Sequence, residues 1–154
     1  MVAYFCSVLS KKAKYAINAL VYLARQPKDE PIPVAQISEE QNIPRKFLEA
    51  ILLDLKKNGI LISKQGKSGG YRLHLPPEKI NMAEVMRLFD GAIALLPCVT
   101  YKFYERCEEC RDEETCGIRA VFLEIRNQTV NRLKEATLAS IIADEKAMRK
   151  GDKL

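Results

Sequence analysis

The sequence predicts a mainly α fold with a small β-hairpin wing: a winged helix-turn-helix followed by a long C-terminal dimerisation helix. Three observations carry that expectation. Two apolar-striped segments, Val34 to Gln41 and Pro44 to Asn58, are separated by a tight Asn42-Ile43 turn, the arrangement of a helix-turn-helix. A short apolar run, Ile60 to Ile62, and an alternating one, Tyr71 to Leu75, flank a glycine-rich loop from Ser63 to Gly70, as in a hairpin. From Gly117 to Ala136, Ile118, Val121, Phe122, Ile125, Thr129, Arg132 and Leu133 recur at three- and four-residue steps. So long an amphipathic helix has little of its own chain left to pack on, and is expected to pair with a second copy.

The elements follow in order. Ser10 is placed to cap a first helix whose stripe is Ala13, Ile17, Leu20, Val21 and Ala24, ended by Gln26-Pro27. A polar loop, Lys28 to Pro33, leads into the second helix, which turns Val34 and Ile37 inward. Pro44 suits the first turn of the third helix, where its missing N–H costs nothing. That helix is expected to bury Phe47, Leu48, Ile51, Leu52 and Leu55 and to close at Asn58-Gly59. In the returning strand Tyr71, Leu73 and Leu75 share one face, and Arg72 and His74 the other. Pro76-Pro77 ends it. Asn81, three residues before Glu84, caps a fourth helix striped by Met82, Val85, Met86 and Phe89 and stopped by Asp90-Gly91. The segment 97–116 reads as a loop, and Lys146 to Leu154 as a frayed end. This divides the chain into a DNA-binding unit at 10–80, a cysteine loop with dimerisation helices at 81–145, and termini at 1–9 and 146–154.

Composition narrows the function classes. With 47% hydrophobic and 29% charged residues, the 154-residue chain can bury a core and is not of disordered type. No apolar run reaches the roughly 18–20 residues that span a bilayer, so no membrane partner is expected. The opening MVAYFCSVLS lacks a basic n-region and a cleavage site; it is read as an extension packed on the fold, not a signal peptide. A cytoplasmic location follows, where clustered cysteines bind metal or do redox chemistry more often than they form disulfides. Charge is uneven: residues 1–80 carry 13 Lys and Arg against 7 Asp and Glu, whereas 81–154 carry 12 against 13. Only the front half has the balance of a polyanion-binding surface.

That basicity falls where a DNA-reading element needs it. At the start of the third helix, Arg45 can fork onto a guanine edge or hold a phosphate, Lys46 can hold a phosphate, and Glu49 can accept from a cytosine amino group. The wing holds Lys64, Gln65, Lys67 and Arg72 around Gly66, Ser68, Gly69 and Gly70, whose bare backbone can approach double-stranded DNA closely. A solvated basic face and a flexible turn would have the same composition; the order of helix pair and basic wing favours DNA.

Four of the five cysteines, Cys98, Cys107, Cys110 and Cys116, fall in one segment, with eight, two and five residues between successive members. Four thiolates satisfy a 2Fe–2S or 4Fe–4S cluster and equally a tetrahedral zinc site, and the CxxC at Cys107 and Cys110 also suits a metal-free thiol switch. The expectation runs in that order. Glu105, Glu108, Glu109, Asp112, Glu113 and Glu114 interleave them, which raises thiol pKa and draws cations, or simply solvates a loop. His74 is read as a surface or DNA-side residue and Cys6 as a small apolar one.

The stretches KYAINALVYLA, IPRKFLEAILLDLKKNGIL and SKQGKSGGYRL, with the PCV that opens the cysteine segment, resemble the Rrf2 family of bacterial winged-helix transcription regulators from about Ser10 to Leu138. The resemblance implies a homodimer, a wing in the minor groove and, in many members, an iron–sulfur cluster held by three cysteines of this segment. The chain departs from that pattern in four places. Cluster-binding members commonly space three cysteines by five to seven residues, whereas here eight separate Cys98 from Cys107, a CxxC follows, and five precede Cys116. Gln65 stands where the family wing often has arginine, which shifts groove insertion to Lys64 or Lys67. Arg119 stands where some members place a histidine ligand, and Lys14 where others place an aspartate ligand of the partner's first helix. The four cysteines can supply the fourth ligand themselves.

The resulting expectation is a sequence-specific, dimeric DNA-binding regulator, a repressor, whose affinity answers to a cysteine-ligated iron–sulfur cluster or redox signal. A cofactor-free or zinc-stabilised regulator answering to thiol oxidation or a protein partner is the alternative; a redox or electron-transfer protein is a rival of another class. No Ser/His/Asp arrangement, phosphate-cradling loop or base beside the cysteines supports an enzyme.

Overall fold

Three alanines with no exposed surface, Ala13, Ala16 and Ala19, line one side of the first helix, α1 (Lys11–Ala24), so the elements around it can pack close. The structure is a computed structural model that describes residues 9–151. The opening segment with Cys6, expected to pack on the fold, lies outside the described residues. The Ser10 side chain caps α1 by accepting from the Ala13 N–H at 3.0 Å.

The second helix, α2 (Val34–Gln41), ends at Asn42, held in the left-handed region at φ 49°. Ile43 is buried there, and the Ser38 hydroxyl donates to its carbonyl at 2.6 Å. Pro44 takes the cap position of α3 (Arg45–Lys57), one residue earlier than its expected place in the first turn. Leu48, Ile51, Leu52 and Leu55 are fully buried. Phe47, expected beside them, is 56% exposed: it lies about 100° round the helix from the centre of that stripe.

The strands β1 (Leu61–Lys64) and β2 (Gly70–Leu73) pair antiparallel, Leu61 with Leu73 and Lys64 with Gly70. Ser63 and Lys64 therefore belong to the strand, and the loop shortens to five residues. On its outer edge β2 meets the α1–α2 connection: Ile32 and Tyr71 exchange both backbone N–H···O bonds at 2.9 Å.

The Asn81 side chain caps α4 (Met82–Asp90), accepting from the Glu84 N–H at 3.0 Å, and Gly91 ends it at φ 78°. The Asp90 carboxylate accepts from the Ser10 N–H, joining the end of α4 to the start of α1. The long helix is α5 (Gly117–Glu135). After it the chain does not fray. It turns at Ala136 and forms α6 (Leu138–Arg149), which packs back on α1 and on the short turn Pro77–Lys79. Residues 146–149 are thus helical, contrary to expectation. The Thr137 and Ser140 side chains cap α6 reciprocally, and backbone bonds from Met82 to Ala136 (2.9 Å) and from Leu138 to Ile80 (3.0 Å) fix the turn. Among the described residues no helix is long and apolar enough to cross a membrane.

Candidate functional site

The start of α3 presents three side chains to solvent. Arg45 and Glu49 form an i, i+4 ion pair at 3.0 Å, both largely exposed, so each can exchange its partner for a base edge or phosphate at little cost. Lys46 is exposed beside them. Phe47 joins this surface, an apolar group of the kind that meets a thymine methyl. Counting Leu48, Ile51, Leu52 and Leu55 as already a full stripe would have released it from the core.

At the wing tip Lys64, Gln65 and Lys67 are exposed around Gly66, whose φ of 108° few other residues adopt. The Gly69 N–H donates to the Gly66 carbonyl at 2.9 Å, and a Cβ on Gly69 would lie 2.5 Å from the Lys64 carbonyl oxygen. This compact loop carries two lysines on short, backbone-tied supports. Arg72 does not join them. It sits further down β2, half-buried, with its guanidinium 4.0 Å from the Asp29 carboxylate. His74 is exposed.

The four clustered cysteines border one cavity of about 140 Å³, with Leu96, Arg119 and two acidic side chains. Cys98, buried, lies on the single turn Pro97–Val99. Cys107 and Cys110 flank a tight turn closed by the Cys110 N–H on the Cys107 carbonyl at 3.2 Å. Cys116 caps α5, its Sγ accepting from the Arg119 N–H at 3.4 Å. That bond, at a helix start, holds the Cys116 thiol below its ordinary pKa. Cys107 is pushed up by its hydrogen bond to the Glu109 carboxylate at 3.0 Å, and Cys110 by desolvation and then by Cys116. Asp112 knits the loop, accepting from the Thr115 hydroxyl at 2.7 Å and the Glu114 N–H at 3.1 Å, and Glu113 accepts from the Tyr104 hydroxyl. Part of the acidity is therefore structural.

Two observations bear on whether this donor set fits a metal group. Arg119 Nε is buried on the cavity wall and has no hydrogen-bond partner among the described residues, a donor suited to thiolate or sulfide. Yet no three His, Cys, Asp or Glu side chains among the described residues converge as they would around an ion. The thiols are gathered but spread. The four thiols nonetheless share the walls of one cavity. A polynuclear cluster also holds its thiolates further apart than a single ion does.

Comparisons place this arrangement. The pattern described as "Rrf2: Iron-dependent Transcriptional regulator" matches residues 9–144. The rrf2-like HTH-type transcriptional regulator of Rhodobacter capsulatus is 37% identical over 139 residues, covering 88% of this chain and 93% of its own. The HTH-type transcriptional regulator IscR of Aliivibrio salmonicida is 27% identical over 145 residues, covering 94% and 83%. Among solved structures, CymR, the global cysteine regulator of B. subtilis, superposes with a TM-score of 0.72 over 88% of this chain and 95% of that one, at 23% identity. With helix pair, wing and cysteine segment all inside the matched span, the chain belongs to the Rrf2 family of transcription regulators.

Proposed function

We propose that this DNA-binding regulator works in the cytoplasm as a homodimeric repressor, with Arg45, Lys46 and Glu49 reading the major groove and Lys64, Gln65 and Lys67 holding the minor groove. Arg72 supports the wing from below. Its operator affinity is set by a cofactor at Cys98, Cys107, Cys110 and Cys116, an iron–sulfur cluster ahead of zinc. One observation carries the cofactor reading: four thiols drawn from 19 residues of loop border a single cavity at the start of α5. A bound cluster supplies reversible one-electron chemistry and lability toward oxidants there. Arg119 Nε would offer such a group a hydrogen-bond donor, and ligation by the four cysteines would tie the loop between α4 and α5 to the start of α5. That tie would change how α5 stands against the reading head, and so the spacing of two recognition helices in a dimer.

The test is one anaerobic preparation assayed for iron, sulfide, zinc and visible absorption. Iron with matching sulfide is expected, lost in Cys110→Ser with the far-ultraviolet circular dichroism unchanged. Zinc alone, or equal operator affinity of loaded and stripped protein in matched salt, would end the reading. In that case the lowered thiol of Cys116 beside Cys110 favours a metal-free thiol switch, seen as an oxidant-dependent loss of DNA binding.

The wing makes a separate prediction. Lys67→Ala is expected to weaken binding about equally across DNA sequences and to reduce the slope of log K against log salt by roughly 0.9, one phosphate contact. A changed sequence preference at constant slope would mean that the wing reads groove shape.

A further inference from the structure

A second cavity, of about 430 Å³, is walled by the end of α4, the chain after it, the start of the cysteine loop and the middle of α5. Its volume is that of a small-molecule site. Three of its lining residues are cationic, Arg87, Lys102 and Arg126, and none is acidic. Among the described residues none of the three is ion-paired, although the cysteine loop beside them is rich in carboxylates. The Arg126 guanidinium is stacked 4.0 Å over the Tyr101 ring, which fixes its plane, and gives one N–H to the neighbouring Asn127. Thr100 lies on the same wall, and its hydroxyl is buried with no hydrogen-bond partner among the described residues, which is destabilising. Around these groups the lining is mainly apolar, with Ile93, three small residues and Phe103.

We propose that this cavity binds a small organic anion: a carboxylate or phosphate monoester on an aromatic or aliphatic body. The charged end takes the fork of Arg126, with Lys102 and Arg87 around it and the Thr100 hydroxyl as a neutral partner. The body lies on Phe103 and Ile93. The site is separate from the cysteine cavity and stands whether or not a cluster is bound there. Because its walls include Thr100 to Phe103, an occupant joins α4 and α5 to the loop that carries the cysteines.

The test is calorimetric titration of the full chain, as the assembly it forms in solution, with benzoate, phenyl phosphate and inorganic phosphate. Saturable binding of benzoate or phenyl phosphate at one per chain is expected, with inorganic phosphate weaker because it lacks the body. Whichever of the two binds more tightly identifies the head group. Affinity is expected to fall at least tenfold in Arg126→Gln and in Lys102→Gln and to stay unchanged in Lys67→Ala on the wing. Lys102 is exposed, so its variant keeps the test sound if Arg126→Gln fails to fold. No saturable binding of either organic probe, affinity unmoved in Lys102→Gln, or an equal loss in Lys67→Ala would each overturn the assignment.

Discussion

Gly70→Ala is expected to detach the wing from the rest of the reading head and to cost roughly 2–4 kcal/mol of folding stability. A Cβ on Gly70 would lie 2.1 Å from the Ile32 carbonyl oxygen, 2.3 Å from its carbon and 2.7 Å from Pro33 N. All three are backbone atoms, so no side chain can swing aside. The chain would have to give up the paired 2.9 Å bonds between Ile32 and Tyr71, which anchor β2 to the α1–α2 connection. Urea unfolding followed by circular dichroism measures the loss, and operator binding should fall with it because Lys64 and Lys67 ride on that strand pair. Gly66 makes the contrast: nothing among the described residues lies within 4 Å of its Cβ position, so Gly66→Ala meets only the strain of φ 108°, about 1 kcal/mol. A Gly70→Ala protein within 0.5 kcal/mol of the parent would show that the contact yields.

The same contact explains how much of the fold could be read from the chain. Ser10, Asn58-Gly59, Asn81 and Gly91 mark helix ends through chemistry acting within one turn, and each lies where the periodicity places it. In the chain the paired glycines before Tyr71 read as bare backbone able to approach DNA, or as a flexible turn. In the structure both are sites of close backbone approach, and Gly70 touches a carbonyl 38 positions away in sequence. The start of α6 was hidden for a related reason. Its capping pair is Thr137 with Ser140, not the Glu or Gln that usually marks such a box, and its turn is held by Ile80 and Met82, more than 50 residues earlier. A frayed lysine-rich end and a docked helix therefore look alike until the distant backbone is in place.

The candidate site divides in the same way. Clustering of the four cysteines was visible in the chain, and the cavity they share agrees with it. Their unequal acidity was not visible, because it depends on which thiol meets the Glu109 carboxylate and which meets the Arg119 N–H. Nearness to the glycine loop grouped Arg72 with the wing lysines, whereas the structure sets it on β2, half-buried, with its guanidinium 4.0 Å from the Asp29 carboxylate. Arg87, Lys102 and Arg126 come from three segments with no common spacing, so only folding makes them neighbours.

Replacing Val121 and Ile125 together by glutamate is expected to convert the protein from twice the 17.5 kDa chain mass to a single chain, and to lower operator affinity by at least about 100-fold. Toward the C-terminal end of α5, Val130 is buried and Leu133 is half-buried against the chain's own core. Towards its start, Ile118, Val121 and Ile125 are 67%, 56% and 40% exposed at three- and four-residue steps. At 100° per residue that second patch is centred roughly 115° round the helix from Val130 and Leu133, on a face the described residues leave uncovered, and a second α5 is the proposed cover. Two buried carboxylates there would face desolvation without a partner charge. The loss in DNA binding exceeds that from any single contact because it removes the second reading head, and with it the high effective concentration at the paired half-site. Light scattering coupled to size exclusion reads the mass, and titration against a full operator and an isolated half-site reads the affinity. The variant should bind both DNAs alike, with its circular dichroism preserved because the substituted side chains face outward. A double variant that kept twice the chain mass would place the interface elsewhere, with Leu95, Tyr101 and Phe103 as the next exposed apolar group to replace.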